Sequence, residues 1–69
     1  MTINPIFQVS NGMRGYYAIV YDENTSECIQ TGIGSYETYK EALLEAAEWA
    51  YCEMHVRQYE KLIEEYNNL

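Results

Sequence analysis

The feature that most constrains the fold is a long stretch near the C-terminus, from Tyr39 to Tyr66, that contains neither glycine nor proline. Thr38 and Glu41 stand at its start with the spacing of a capping box, in which two side chains satisfy free backbone N–H groups at a helix N-terminus. The sequence therefore predicts one helix over residues 38–66. A helix of about 28 residues is about 42 Å long, which exceeds the width of a small domain.

Three shorter segments before this stretch have the residue types of β-strands. The clearest is residues 16–21, which read YYAIVY and are aromatic or β-branched almost throughout. Residues 6–10 precede it across the turn signal Asn11-Gly12, a longer loop being the alternative. Residues 28–33 alternate between apolar and polar side chains. We predict a single α+β domain of 69 residues, with a three-stranded antiparallel meander over residues 1–34 followed by the long helix (βββα).

The predicted helix carries two different apolar stripes. In its first half, small residues that allow close packing on a sheet form one face. This face consists of Tyr39, Leu43, Ala46, Ala47, Ala50 and Met54. In its second half, apolar residues follow one another in steps of three and four, the spacing of a heptad seam. This seam consists of Trp49, Cys52, Val56, Tyr59, Ile63 and Tyr66.

The length of the helix predicts a partner for the seam. Strands of six residues are only about 20 Å long, so the sheet would cover about half of the helix. We expect the second half to protrude and its seam to bind a partner, most simply a second copy, which predicts a homodimer. The alternative is that the helix kinks or breaks and its last turns fold back on the sheet, although kinks usually coincide with Gly or Pro.

The charge of the chain is strongly negative and unevenly distributed. Eleven Asp and Glu stand against four Lys and Arg, a net charge of −7. Arg14 is the only charged residue among residues 1–21, whereas residues 22–53 contain most of the acidic residues. Because binding to phosphates needs a basic patch, this composition disfavours direct nucleic-acid binding and favours a basic protein partner. The alternative is that the acidic surface serves only solubility.

Four glutamates form an acidic line along the start of the helix. They are Glu37, Glu41, Glu45 and Glu48, at helical spacing. Neighbouring carboxylates in such a line are about 6 Å apart, close to the spacing of phosphates along a nucleic-acid strand. We therefore hypothesise that this face occupies a basic, nucleic-acid-binding surface of another protein. A solvated helix face is the alternative.

No set of residues predicts catalysis, a metal site or a cofactor. Glu48, Cys52 and His55 lie on neighbouring sides of the helix, but a structural zinc site needs four ligands and the chain has one histidine. Gly32-Ile33-Gly34 lacks the third glycine and the βαβ setting of a dinucleotide site. We expect a protein that is not an enzyme.

The cysteines and the N-terminus indicate the compartment. The chain has two cysteines, Cys28 and Cys52. Residues 1–5 have neither the basic stretch nor the apolar core of a signal peptide, and no apolar run approaches the roughly 20 residues that span a bilayer. These features predict a cytoplasmic protein with free thiols and no membrane contact.

Two resemblances accompany these predictions. The strand end Ile29–Gly32 and the helix start Ser35–Ala46, which contains the run TYKEAL, resemble the strand-to-helix join of HicB-type antitoxins. The proline-containing loop and DNA-binding tail of that family have no counterpart in this sequence. In size and acidity the chain is similar to small inhibitors encoded by phages and mobile elements, including anti-CRISPR and anti-restriction proteins. The resemblances imply an inhibitor or, alternatively, an antitoxin-like or structural accessory protein.

Overall fold

The computed structural model describes residues 3–32 and 35–69 and has three strands followed by two helices. These are β1 (Pro5–Gly12), β2 (Gly15–Asp22), β3 (Cys28–Thr31), α1 (Tyr39–Cys52) and α2 (Val56–Asn67). The strands form one antiparallel sheet in the order β1-β2-β3. The α+β class and the meander are confirmed, whereas the prediction of one long C-terminal helix is wrong. Ile33 and Gly34, which the sequence placed at the end of the meander, lie outside the described residues.

The first hairpin turns at Met13 and Arg14. The pairing of β1 with β2 continues to Gly12 opposite Gly15, so Asn11-Gly12 belongs to the strand and not to the turn. Gly15 has a φ of 128°, and a Cβ at this position would lie 2.5 Å from the backbone oxygen of Tyr36. Glycine is needed there, because other residues rarely adopt this backbone conformation and because the neighbouring chain is so close.

The break between the helices is a C-terminal capping motif without glycine. Met54 has a φ of 63°; its N–H donates to the oxygen of Tyr51 (3.0 Å), and the N–H of His55 donates to the oxygen of Ala50 (2.8 Å). This pair of hydrogen bonds defines a Schellman motif, whose left-handed position is usually glycine. A methionine can occupy it at a cost of about 1–2 kcal/mol, so the helix ends where the sequence carries no glycine or proline.

The second helix folds back onto the rest of the molecule and does not protrude. Leu62 is part of the core. The side-chain amide of Gln58 donates to the Pro5 oxygen (2.7 Å) and accepts from the Phe7 N–H (3.0 Å), so it pairs with the edge of β1 as another strand would. The Tyr39 hydroxyl donates to the Glu65 carboxylate and joins the start of α1 to the end of α2. The alternative of a broken helix that folds back is therefore the one observed.

The core lies between one face of the sheet and the two helices. It contains Phe7, Ala18, Val20, Leu43, Ala46, Ala47, Ala50 and Leu62. The three alanines of α1 in this cluster bring the helix backbone close to β1 and β2, as their small size predicts. Met54 was predicted to belong to the same helix face but is 85% exposed, because it stands in the turn after α1.

Candidate interaction surfaces

Three glutamates of the acidic line predicted from the sequence, Glu41, Glu45 and Glu48, lie on α1, whereas Glu37 precedes the first residue of this helix. We call Glu37, Glu41, Glu45 and Glu48, together with Tyr36, the acidic surface. Of its glutamates, Glu45 is half-buried and the other three are exposed. The alanine face of α1 packs on the sheet, so Glu41 and Glu48 lie on the exposed side of the helix.

Glu45 is held in place by Tyr36. The Tyr36 hydroxyl donates to one carboxylate oxygen of Glu45 at 2.5 Å. The other oxygen is buried, lies beside Gly32, where a Cβ would be only 2.5 Å away, and has no hydrogen-bond partner among residues 3–32 and 35–69. The hydrogen bond to Glu45, followed by burial and by the charges of Glu45, Glu48 and Glu41, raises the pKa of Tyr36 above its usual value. The hydroxyl therefore stays protonated among these carboxylates.

Two carboxylates of this surface, those of Glu41 and Glu45, accept hydrogen bonds from hydroxyl groups, while the neighbouring Lys40 lies on an aromatic ring. Glu41 accepts from the Thr38 hydroxyl (2.9 Å), and the Glu41 N–H donates to the Thr38 hydroxyl oxygen (3.3 Å). One of the two hydrogen bonds of the predicted capping box is therefore present, that from the Glu41 N–H. The other is not, because the Glu41 carboxylate accepts from the Thr38 hydroxyl and not from the Thr38 backbone N–H. The Lys40 ammonium lies 4.6 Å from the centre of the Tyr66 ring, an arrangement stabilised by the cation–π attraction.

A shallow depression of about 320 Å³ opens on the acidic surface. Its lining combines carboxylates with apolar and aromatic side chains and consists of Tyr36, Thr38, Lys40, Glu41, Leu44, Glu45, Glu48 and Tyr66. Long basic side chains have apolar stems and charged ends. A depression whose lining combines apolar side chains with carboxylates suits both parts of such a side chain.

The predicted seam is divided between two helices and does not form one stripe. Four of its residues pack against the core of their own chain, namely Trp49, Tyr59, Ile63 and Tyr66. Cys52 and Val56 are exposed. Together with Tyr51 and Met54 they form an apolar area around the turn between the helices, which we call the turn patch. Glu53 is also exposed in this turn.

A further surface, not foreseen from the sequence, is the side of the sheet away from the helices. In β2, Ala18 and Val20 are buried against the helices, so the alternation of a strand directs Tyr17, Ile19 and Tyr21 to the opposite side. Residues directly opposite each other in a pair of antiparallel strands have their side chains on the same face of the sheet. The pairing therefore defines an outer face that consists of Ile6, Gln8, Ser10, Tyr17, Ile19, Tyr21, Cys28 and Thr31.

The sequence contained a signal for this outer face. A strand with one solvated side normally alternates between apolar and polar residues, whereas a strand covered on both sides is apolar throughout. The run YYAIVY of β2 is of the second kind. Strand propensity alone accounts for these residue types but leaves open what covers the second side of the strand.

The described residues contain no cluster of metal-ligating side chains. Within residues 3–32 and 35–69, no group of three or more His, Cys, Asp or Glu side chains is placed to hold a metal ion. The His55 ring packs against Phe7, with ring centres 5.4 Å apart, and both cysteines are exposed and unpaired. Neither α1 nor α2 has the length and apolar character of a membrane-crossing helix.

Comparisons with known protein families, with curated proteins and with solved structures give no match to this chain.

Proposed function

We propose that this chain is a non-enzymatic interaction domain that binds a basic protein through its acidic surface. In this proposal it acts as an inhibitor, because it occupies a region that its partner uses to bind nucleic acid. The observation that supports the proposal most directly is that Glu41 and Glu45 of the acidic surface accept hydrogen bonds from hydroxyl groups of their own chain, while Lys40 lies on an aromatic ring. The negative charge therefore remains available to a partner.

The shape of the acidic surface supports the same function. The exposed Glu41 and Glu48 line a depression together with apolar and aromatic side chains, and Glu45, which also lines it, is fixed by Tyr36. A fixed carboxylate loses less side-chain entropy on binding than a mobile one. Complementary charge also accelerates the encounter with a basic partner. The competing function is an antitoxin-like or structural accessory protein whose acidic surface is merely solvated.

Charge reversal on the acidic surface tests the proposal if a control variant has the same net charge as the test variant. The test variant carries Glu37→Lys and Glu48→Lys, which are exposed and leave the Tyr36–Glu45 bond and the Thr38 cap intact. The control variant carries Glu60→Lys and Glu64→Lys, two exposed acids on α2. Both variants have the same net charge, so a general electrostatic effect would change them equally.

The measurement is a pull-down from the native host with the parent and both variants, followed by titration of the captured basic protein in purified form. We expect the parent and the α2 control to bind it and the acidic-surface variant to lose at least about tenfold in affinity, about 1.4 kcal/mol. Equal binding by the two variants, or the absence of any basic protein among the captured ones, contradicts the proposal.

A further inference from the structure

The central strand β2 is apolar on both sides, but the described chain covers only one of them. Its inner residues Ala18 and Val20 are 0% and 2% exposed beneath the helices. Its outer residues Tyr17, Ile19 and Tyr21 are half-buried among side chains of the same sheet. Apolar residues on both sides of a strand are typical of a sheet that is packed between two layers. This arrangement indicates that a second layer covers the outer face.

The outer face differs from the rest of the protein in its charge. None of its eight residues is charged, although the chain has a net charge of −7 and 22% of its residues are charged. A basic protein would find no carboxylate on this face. A second copy of this chain would find an uncharged, partly aromatic surface like its own. We therefore propose that the outer faces of two copies pack against each other and form a homodimer with a β-sandwich at its centre.

The proposed arrangement keeps the acidic surfaces apart. Packed sheets lie about 10 Å from each other, and in each copy the helices stand on the far side of the sheet. The two helix layers would then be separated by roughly 30 Å, three layer spacings of this size. This distance exceeds the Debye length of about 8 Å at physiological ionic strength, so the repulsion between the two copies is largely screened.

The turn patch is a poorer site for a second copy, although it is also apolar. Tyr51, Met54 and Val56 are 65%, 85% and 55% exposed, but Glu53 is exposed in the same turn. A symmetric dimer brings the same patch of both copies together. The Glu53 carboxylates of both copies would then lie in one interface, a repulsion that the uncharged outer face avoids.

The size of the outer face sets the expected affinity. Three strands of up to eight residues cover a rectangle of about 14 by 26 Å. The area of this rectangle is less than the roughly 800 Å² that each partner contributes to a standard interface. We expect a dimer with a dissociation constant in the micromolar range. The acidic surfaces remain exposed on both outer sides of this dimer, so it would present two of them to partners.

The test compares Ile19→Lys with Val56→Lys, which place the same new charge on the outer face and on the turn patch. Ile19 lies between Gln8 and Thr31, so a lysine there has polar neighbours and the monomer should still fold. Gln8→Lys is a second outer-face variant at an exposed position. Far-UV circular dichroism and thermal unfolding establish that each variant is folded.

Sedimentation equilibrium between about 2 and about 200 µM brackets the expected affinity. We expect the average mass of the parent and of Val56→Lys to rise from 8.1 kDa towards twice that value, and both outer-face variants to remain at the monomer mass. A parent that stays monomeric throughout overturns the proposal. So does an outer-face variant that dimerises like the parent, or a dimer that only Val56→Lys disrupts, which would place the interface at the turn patch.

Discussion

At the scale of single residues, Met54 stands at the break between the two helices. It stands in the left-handed conformation, with a φ of 63°, and its side chain is 85% exposed. The chain therefore bears the conformational cost of a non-glycine residue there without gaining much burial. Ala50 and Tyr51 accept the two hydrogen bonds that close the end of α1. These bonds and the contacts of α2 offset the strain.

Met54→Gly should consequently stabilise the protein. Glycine removes a steric cost of about 1–2 kcal/mol but loses more entropy on folding, about 0.5–1 kcal/mol, so we expect a net gain of up to about 1 kcal/mol in the free energy of unfolding. Urea denaturation measures this change. Met13→Gly is the matched control, because Met13 is fully exposed and has no positive φ. A gain of the same size at Met13, or a loss at Met54, would contradict this account.

At the scale of elements, the sequence predicts well whatever depends on local pattern. The start of α1 follows from Thr38 and Glu41, and its buried face follows from the alanine spacing. The break after α1 does not follow, because the usual signal is glycine and this chain uses methionine. The role of Gln58 was also unpredictable. An isolated polar residue on a helix gives no indication that its amide will pair with the edge of β1, more than 50 positions earlier in the chain.

The contact between Tyr39 and Glu65 connects the two helices and depends on pH. Its hydrogen bond, with burial and the charge of Glu65 as further causes, raises the pKa of Tyr39 from 10.0 to about 12. A raised pKa means that the folded state holds the proton more tightly than the unfolded state. The stabilisation is therefore complete below pH 10 and is lost as the pH rises towards 12, where a phenolate would face the carboxylate.

Tyr39→Phe tests this contact. The variant should be less stable than the parent at pH 8 to 9, and the difference should shrink between pH 10 and pH 12 because only the parent loses the bond there. Comparing the two proteins at each pH cancels the titration of the other tyrosines. Urea denaturation across this range provides the free energies. A difference that stays constant with pH would show that the hydrogen bond adds nothing beyond the packing of the ring.

At the scale of the whole molecule, the charges are separated into layers. The first two strands bear few charges, while α1 and its flanks bear the acidic surface. The uneven charge distribution was visible in the sequence. The side of the molecule that each residue faces was not visible in the sequence, because it depends on the register of β1, β2 and β3 and on the return of α2. The register makes the outer face uncharged, and the return of α2 withdraws most of the predicted seam into the core.

This layering predicts that salt acts in opposite ways on the two proposed interactions. Binding of a basic protein relies on attraction between unlike charges, so raising the NaCl concentration from about 0.05 to about 0.5 M should weaken it by at least about tenfold. Dimerisation through the outer face buries mainly apolar side chains and is opposed by the net charge of −7 on each copy, so the same salt should leave it unchanged or strengthen it. Titration of the purified partner and sedimentation of the chain alone, in identical buffers, measure the two trends. A dimer that dissociates in salt would mean that charged groups hold it together. A partner that binds equally at all salt concentrations would mean that it does not recognise the carboxylates of the acidic surface.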